Sequence, residues 1–216
     1  MAVIATAEDA NTLGVAAGER SRRVVESEKA RRIVEAMRRS VARRGTAGST
    51  FDHVAREAGV SRGLLHYYFG TKEQLLLEAV RRDCELRMEQ LEQRLAGAHT
   101  ADDFIGLMAQ NLQETVREDP DFVTLMFELF TLSRRNEDIA VEYAELMRRT
   151  RGQVADMLAI AQRDGVVQLH AEPDTVAEIL FALADGFALR MLTEPERDFD
   201  ATVRAGIACA RALLAD

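Results

Sequence analysis

The chain has 216 residues, and its 36 Asp+Glu against 28 Lys+Arg give a formal net charge of −8. With 47% hydrophobic and 30% charged residues, bulk disorder is excluded, and 3 Pro and 13 Gly are too few for a turn-dense all-β protein. Two cysteines make no disulfide framework, no apolar run nears the ~18 residues that span a membrane, and residues 1–7 lack a signal peptide's regions, so a cytoplasmic protein is expected.

Charge is unevenly spread. Positions 20–83 hold 15 Lys/Arg and 8 Asp/Glu, a net +7, whereas positions 84–216 hold 13 and 25, a net −12. Such asymmetry suggests a basic module that meets a polyanion, joined to an acidic body. An Arg-rich solvated helix face gives the same count, so a motif must decide.

Residues 1–26 show no sustained period and read as a disordered arm. Its Arg20, Arg22 and Arg23 suit DNA phosphates or plain solvation. Ser27 is the N-cap expected for a helix over 27–44, with Ile33, Val34, Met37 and Val41 at helical spacing and Gly45 as its end. Thr50 caps a short amphipathic stretch with Phe51, Val54, Ala55 and Ala58 on one side, and Gly59 breaks it. Ser61 caps a third helix with Leu64, Leu65, Tyr68 and Phe69, ended by Gly70. Thr71 caps a long helix running to about 98, patterned by Leu75, Leu76, Ala79, Val80, Leu86, Leu91 and Leu95. Helices are further expected over 101–119, 121–135, 136–163, 174–192 and 200–215, with a short extended link at 166–170. The fold class is all-α, about nine helices.

The most informative stretch is TFDHVAREAGVSRGLLHYYFGTKE, positions 50–73. Two short helices flank a turn at Gly59-Val60, the spacing of a helix-turn-helix. Small Ala55 lets the helices cross closely, and Val60 and Leu65 plug the core beneath. The second helix then presents its N-terminal residues to a major groove. There Arg62 suits guanine or phosphate, Gly63 permits close backbone approach, and His66 and Tyr67 reach phosphate, base edge or a thymine methyl. Leu64 is placed on the side of Tyr67. Thr50 and Ser61 offer hydroxyls and helix N-termini, and Lys72 a charge.

This stretch resembles the DNA-binding segment of the tetracycline-repressor (TetR) family. The matching positions are Thr50, Ala55, Ala58, Gly59, Val60, Ser61, Gly63, Leu65, Tyr68, Phe69, Lys72, Glu73 and Leu75. Two positions depart: His66 stands where the family usually has Tyr, and Thr46 where an aromatic usually follows the glycine that ends the first helix. The resemblance implies a homodimeric, double-stranded-DNA-binding regulator, most often a repressor, released from a palindromic operator by a small effector. With the arm read over 1–26, it implies a DNA-binding domain over 27–80 and an effector-binding and dimerisation domain over 81–216. No cofactor, metal or membrane is implied.

In the C-terminal part, Phe104, Met108, Phe122, Met126, Phe127, Phe130, Met147 and Met157 are candidate walls of an apolar ligand pocket, with Tyr143 or Asn111 to orient the ligand; each is equally at home in ordinary core. Phe181, Ala184, Phe187, Ala188 and Met191, with Ala205, Cys209 and Leu213, are candidates for a four-helix partner interface. His53, His99, His170, Cys84 and Cys209 lack metal-ligand spacing. Glu128, Glu178 and Asp185 have no nucleophile beside them, so an enzyme is not expected. The competing function is an all-helical protein-interaction module without specific DNA binding.

Overall fold

The computed structural model describes residues 28–214, and the expected arm and the Ser27 cap lie outside them. Among the described residues there are helices and no strand: α1 (Glu28–Gly48), α2 (Phe51–Ala58), α3 (Arg62–Phe69), α4 (Lys72–Leu95), α5 (Ala101–Glu118), α6 (Pro120–Ser133), α7 (Glu137–Arg163), α8 (Pro173–Thr193) and α9 (Asp200–Leu214). The protein is all-α. Its chain divides into two compact units, Met1–Leu75 and Leu76–Asp216, a division that falls earlier than 80 and inside α4.

In the first unit, α1 turns at Gly45 (φ 67°, ψ 172°), where the sequence places its end. The following turn is pinned internally. Ser40 donates from Oγ to Ser49 Oγ at 2.9 Å, and Ser49 Oγ donates to the Gly45 carbonyl at 2.9 Å. Both serines are fully buried, and this pairing satisfies hydroxyls that burial would otherwise penalise. Thr50 and Ser61 cap α2 and α3 through the His53 and Leu64 amides. Between them Gly59 takes a left-handed conformation (φ 67°, ψ 39°) that other residues adopt at a cost, and Val60 N–H closes back on the Ala55 carbonyl at 3.0 Å. Ala55 is buried in the crossing and Leu65 is fully buried, whereas Val60 is half-exposed. Glu57 joins α2 to α1 by accepting from Arg39 at 2.8 Å and Arg43 at 2.6 Å.

In the second unit, α7 packs between α6 and α8, and α5 contacts α6, α8 and α9. One apolar cluster gathers Leu91, Leu95, Phe104, Val154, Leu158, Val176 and Leu214; a second gathers Val116, Val123, Ala188, Met191 and Phe199. Helix α4 stops at Leu95, short of 98, because the next helix is capped locally: Thr100 accepts from the Asp103 amide while the Asp103 carboxylate accepts from the amides of His99 and Thr100. The extended link lies where expected. Its Gln168 and His170 amides donate to the Leu214 and Leu213 carbonyls, satisfying acceptors at the end of α9.

Candidate nucleic-acid interface and ligand cavity

On α3 the helical period separates two faces. Leu65 and Phe69 are buried, while Ser61, Arg62, Gly63, His66 and Tyr67 are exposed, Tyr67 at 81%. Leu64, expected beside Tyr67, is only half-exposed. The exposed side chains are not independent. His66 Nδ1 lies 3.1 Å from the Gly70 carbonyl, an acceptor, so Nδ1 carries the proton and Nε2 is left to accept from Arg62 Nε at 3.3 Å. Arg62 Nη1 lies 3.3 Å from Asp52 Oδ2 on α2. The Phe51 ring meets His66 edge-on, with centroids 4.6 Å apart. The guanidinium is thereby steered from two sides, which lowers the entropy lost on forming a bidentate contact. Thr50 is exposed at the start of α2. Lys72 is half-buried and donates to the Thr46 carbonyl at 2.8 Å. Thr46, at the position lacking the family's aromatic, thus holds the start of α4 through its backbone.

The second unit contains a cavity of about 390 Å³ walled by α4, α5, α6, α7 and α8. Of the expected walls, Met108, Phe122, Met126, Phe127, Phe130, Tyr143 and Met147 line it, as does Asn111. Phe104 and Met157 do not. They are buried in the cluster around Leu158, because their turns of α5 and α7 face that core instead. The remaining wall includes Cys84, Arg87, Met88 and Leu91 of α4, Thr115 and Val116 of α5, Thr150 and Val154 of α7, and Leu180, Phe181, Ala184, Asp185 and Ala188 of α8.

Two charged groups stand on this wall. Arg87 donates to Thr115 Oγ1 at 3.2 Å, is ion-paired with Asp119, and stacks 4.1 Å above the Phe122 ring. Asp185 lines the cavity but is exposed to solvent, with no hydrogen bond or ion pair to another described residue; partial burial pushes its carboxyl above the ordinary aspartate range. The same burial, aided by Asp185 and then Cys84, raises the Tyr143 hydroxyl to about 12. Burial, then Asp83, raises the Cys84 thiol to about 12, so both stay protonated near neutrality.

The residues expected at a partner interface scatter. Phe181, Ala184 and Ala188 face the cavity. Met191 is buried in the cluster around Val116, and Leu213 packs on the one around Leu158. Phe187 is half-exposed over Gly206, and Ala205 and Cys209 are exposed on α9. The exposed face of α8 is a different one: Ile179, Ala182, Gly186 and Leu189, with the charged Glu178, Asp185 and Arg190 among them. Period counting finds an apolar helix but not which of two apolar faces turns outward. The Cys84 and Arg87 wall was equally hidden, because Leu86, patterned as inward, is 46% exposed, whereas Leu91 is buried as its spacing predicts.

Residues 33–79 match the model described as "Bacterial regulatory proteins, tetR family". Residues 105–216, just over half of the chain, match "BetI-type transcriptional repressor, C-terminal". The chain belongs to the TetR family. Among curated TetR-type relatives, the HTH-type transcriptional regulator PksA of Bacillus subtilis is 27% identical over 172 residues, covering 76% of this chain and 78% of PksA. BetI of Rhizobium meliloti is 25% identical over 157 residues, covering 72% and 74%. A transcriptional regulator from Saccharomonospora viridis, solved in complex with choline, superposes with a TM-score of 0.69 at 26% identity, covering 86% of this chain and 97% of that one. Like its TetR relatives, the chain is a helix-turn-helix transcriptional regulator, and these relatives are regulators and not enzymes. Among the described residues no group of three or more His, Cys, Asp or Glu is placed to hold a metal, and no helix is long and apolar enough to cross a membrane.

Proposed function

We propose that the protein is a homodimeric repressor whose two α3 helices read the halves of a palindromic operator, and that a small molecule in the 390 Å³ cavity releases it. The observation that carries this reading is the exposed row Arg62, Gly63, His66 and Tyr67 at the start of a helix whose opposite face is buried. Arg62 reads a base edge, Tyr67 and His66 contact the backbone and neighbouring base, and the caps at Thr50 and Ser61 turn helix N-termini to phosphate. Lys72, tied to Thr46, positions α4 and adds positive charge beside the duplex. Residues 27–80 are the DNA-binding part and 81–216 the effector-binding and dimerisation part. Pairing is assigned to the outward stripes of α8 and α9, Ile179, Ala182, Gly186 and Leu189 with Ala205 and Cys209.

Two observations support an effector role for the cavity. Helix α4 begins in the reading unit and supplies Cys84, Arg87, Met88 and Leu91 to the wall, so an occupant that repositions this wall acts on the helix itself. The Saccharomonospora viridis relative holds a small molecule, choline. Half-sites on one face of DNA stand about 34–36 Å apart, so a small change in head separation abolishes simultaneous fit. Enrichment of binders from a random duplex pool tests the reading. A palindrome with half-sites about one turn apart is expected. Weak, salt-sensitive binding to every sequence removes specific reading and favours the protein-interaction alternative.

A further inference from the structure

On α3 the His66 ring is engaged at both nitrogens. Nδ1–H donates to the Gly70 carbonyl at 3.1 Å, and Nε2 lies 3.3 Å from Arg62 Nε, one helical turn earlier. Nε2 is therefore the acceptor for a side chain that only donates. A guanidinium has five N–H donors. In Arg62 the one on Nε goes to His66 and one on Nη1 goes to Asp52, at 3.3 Å. The other Nη1 N–H and both on Nη2 remain for a two-pronged contact to guanine. With its nitrogens occupied, His66 keeps only C–H edges to pack directly against a duplex. The charged groups that face it are Arg62 on its own helix and, across Arg62, Asp52 on α2; the α2 ring that meets it, Phe51, is neutral.

This arrangement depends on one proton. Histidine is the side chain whose charge ordinarily changes near neutral pH. A proton on Nε2 turns the acceptor into a donor aimed at another donor and sets two cations face to face. Arg62 then loses its anchor at Nε and keeps only the exposed Asp52 contact. The new Nε2–H, on an exposed ring, becomes a cationic donor for phosphate, and phosphate is the same beside every base.

We propose that His66 is the positioning residue through which Arg62 selects a base, and that it does so only as the neutral ring: protonation exchanges base selection for sequence-indifferent phosphate binding. This rests on the reading of α3 as the helix that enters the major groove. It goes beyond that reading in making the choice of operator, and not only its affinity, follow pH.

The full-length protein is titrated at about pH 8 and about pH 6. The probes are the duplex enriched from a random pool, versions altered at the base pair where Arg62→Ala relaxes the preference, and an unrelated duplex. The preference is expected to fall about two- to fivefold at the lower pH, the worth of an exposed contact. Binding to the unrelated duplex is expected to tighten, with a salt dependence steeper by about one phosphate contact. His66→Gln places an amide oxygen near the site of Nε2, and His66→Tyr places no acceptor there. Both are expected to flatten the pH profile, and the first to select better than the second. A preference that does not change with pH, a pH dependence that survives in either variant, or equal selection by the two overturns the proposal and leaves α3 as the reading helix. If Arg62→Ala weakens every duplex alike, base reading by Arg62 falls and the proposal falls with it.

Discussion

The reading unit and the C-terminal unit use helices in opposite ways. In the first, short helices bury one face and turn their chemistry outward: Leu65 and Phe69 inside, Arg62, His66 and Tyr67 outside. In the second, longer helices are apolar on more than one face, and the chemistry lies within: Arg87, Tyr143 and Asn111 open onto a cavity while Ile179 and Leu189 are left on the surface. An outward site constrains spacing along one helix. An inward site depends on which faces of five helices converge, which no single segment specifies.

If the outward stripe of α8 is the pairing surface, the largest effect follows from Leu189→Glu. It is expected to give monomers in sedimentation analysis and to weaken operator binding by about 10²–10⁴-fold, the loss of linked half-site binding. Retained dimers move the interface elsewhere. In the reading unit, Arg62→Ala is expected to weaken specific binding by about 1–3 kcal/mol and to relax selection at one base position. Asp52→Ala removes only one of the two contacts that steer Arg62, and the exposed pair contributes less than about 1 kcal/mol, so a weaker loosening at the same position is expected. Equal weakening on all sequences makes Arg62 a phosphate clamp.

The contrast also explains what was legible in the sequence. Caps, glycines and alternating faces fixed the reading unit: Thr50, Gly59, Ser61 and Leu65 all do in the structure what their spacing predicts. Helix positions in the second unit were equally readable, since Pro120, Asn136 and Thr100 are local signals. Facing was not. Phe104 and Met108 are four residues apart on α5, yet one is core and the other cavity wall. Phe181, Ala184 and Ala188 look like partner-facing residues until α7 is placed beside them. Asp185 was visible as an acid in an apolar helix, a pattern that suggests an ion pair; only the structure leaves it without one among the described residues.

A smaller effect tests the close approach of α8 and α9. A Cβ on Gly206 stands 2.7 Å from the Phe187 ring, so that ring must swing away. Overpacking of this kind costs about 1–3 kcal/mol, while replacing glycine by alanine within a helix returns up to about 1 kcal/mol. The clash wins, and Gly206→Ala is expected to lower stability by about 1 kcal/mol in denaturant melts. A gain instead makes Phe187 free to move.

The smallest effects have opposite signs in the two units. Burial alone would raise Glu57, but hydrogen bonds and charge from Arg39 and Arg43 on α1 outweigh it and hold the carboxyl low. A depressed carboxylate stabilises the fold above its unfolded value, and this contribution is lost as pH falls through the folded value. The groups are partly exposed, so the amount is below about 1 kcal/mol. Asp185 behaves oppositely. It is exposed to solvent, yet partial burial raises it, with Tyr143 on α7 and Cys84 and Arg87 on α4 as the titratable and charged groups sharing its wall, so the effect is small. The folded protein therefore holds that proton more tightly than the unfolded chain, and stability falls as pH rises from the unfolded aspartate range through the raised folded value. Above that window Asp185→Asn is expected to be more stable than the parent, and Glu57→Gln less stable, in melts at neutral pH. As pH drops the first difference closes through the raised Asp185 value and the second through the lowered Glu57 value.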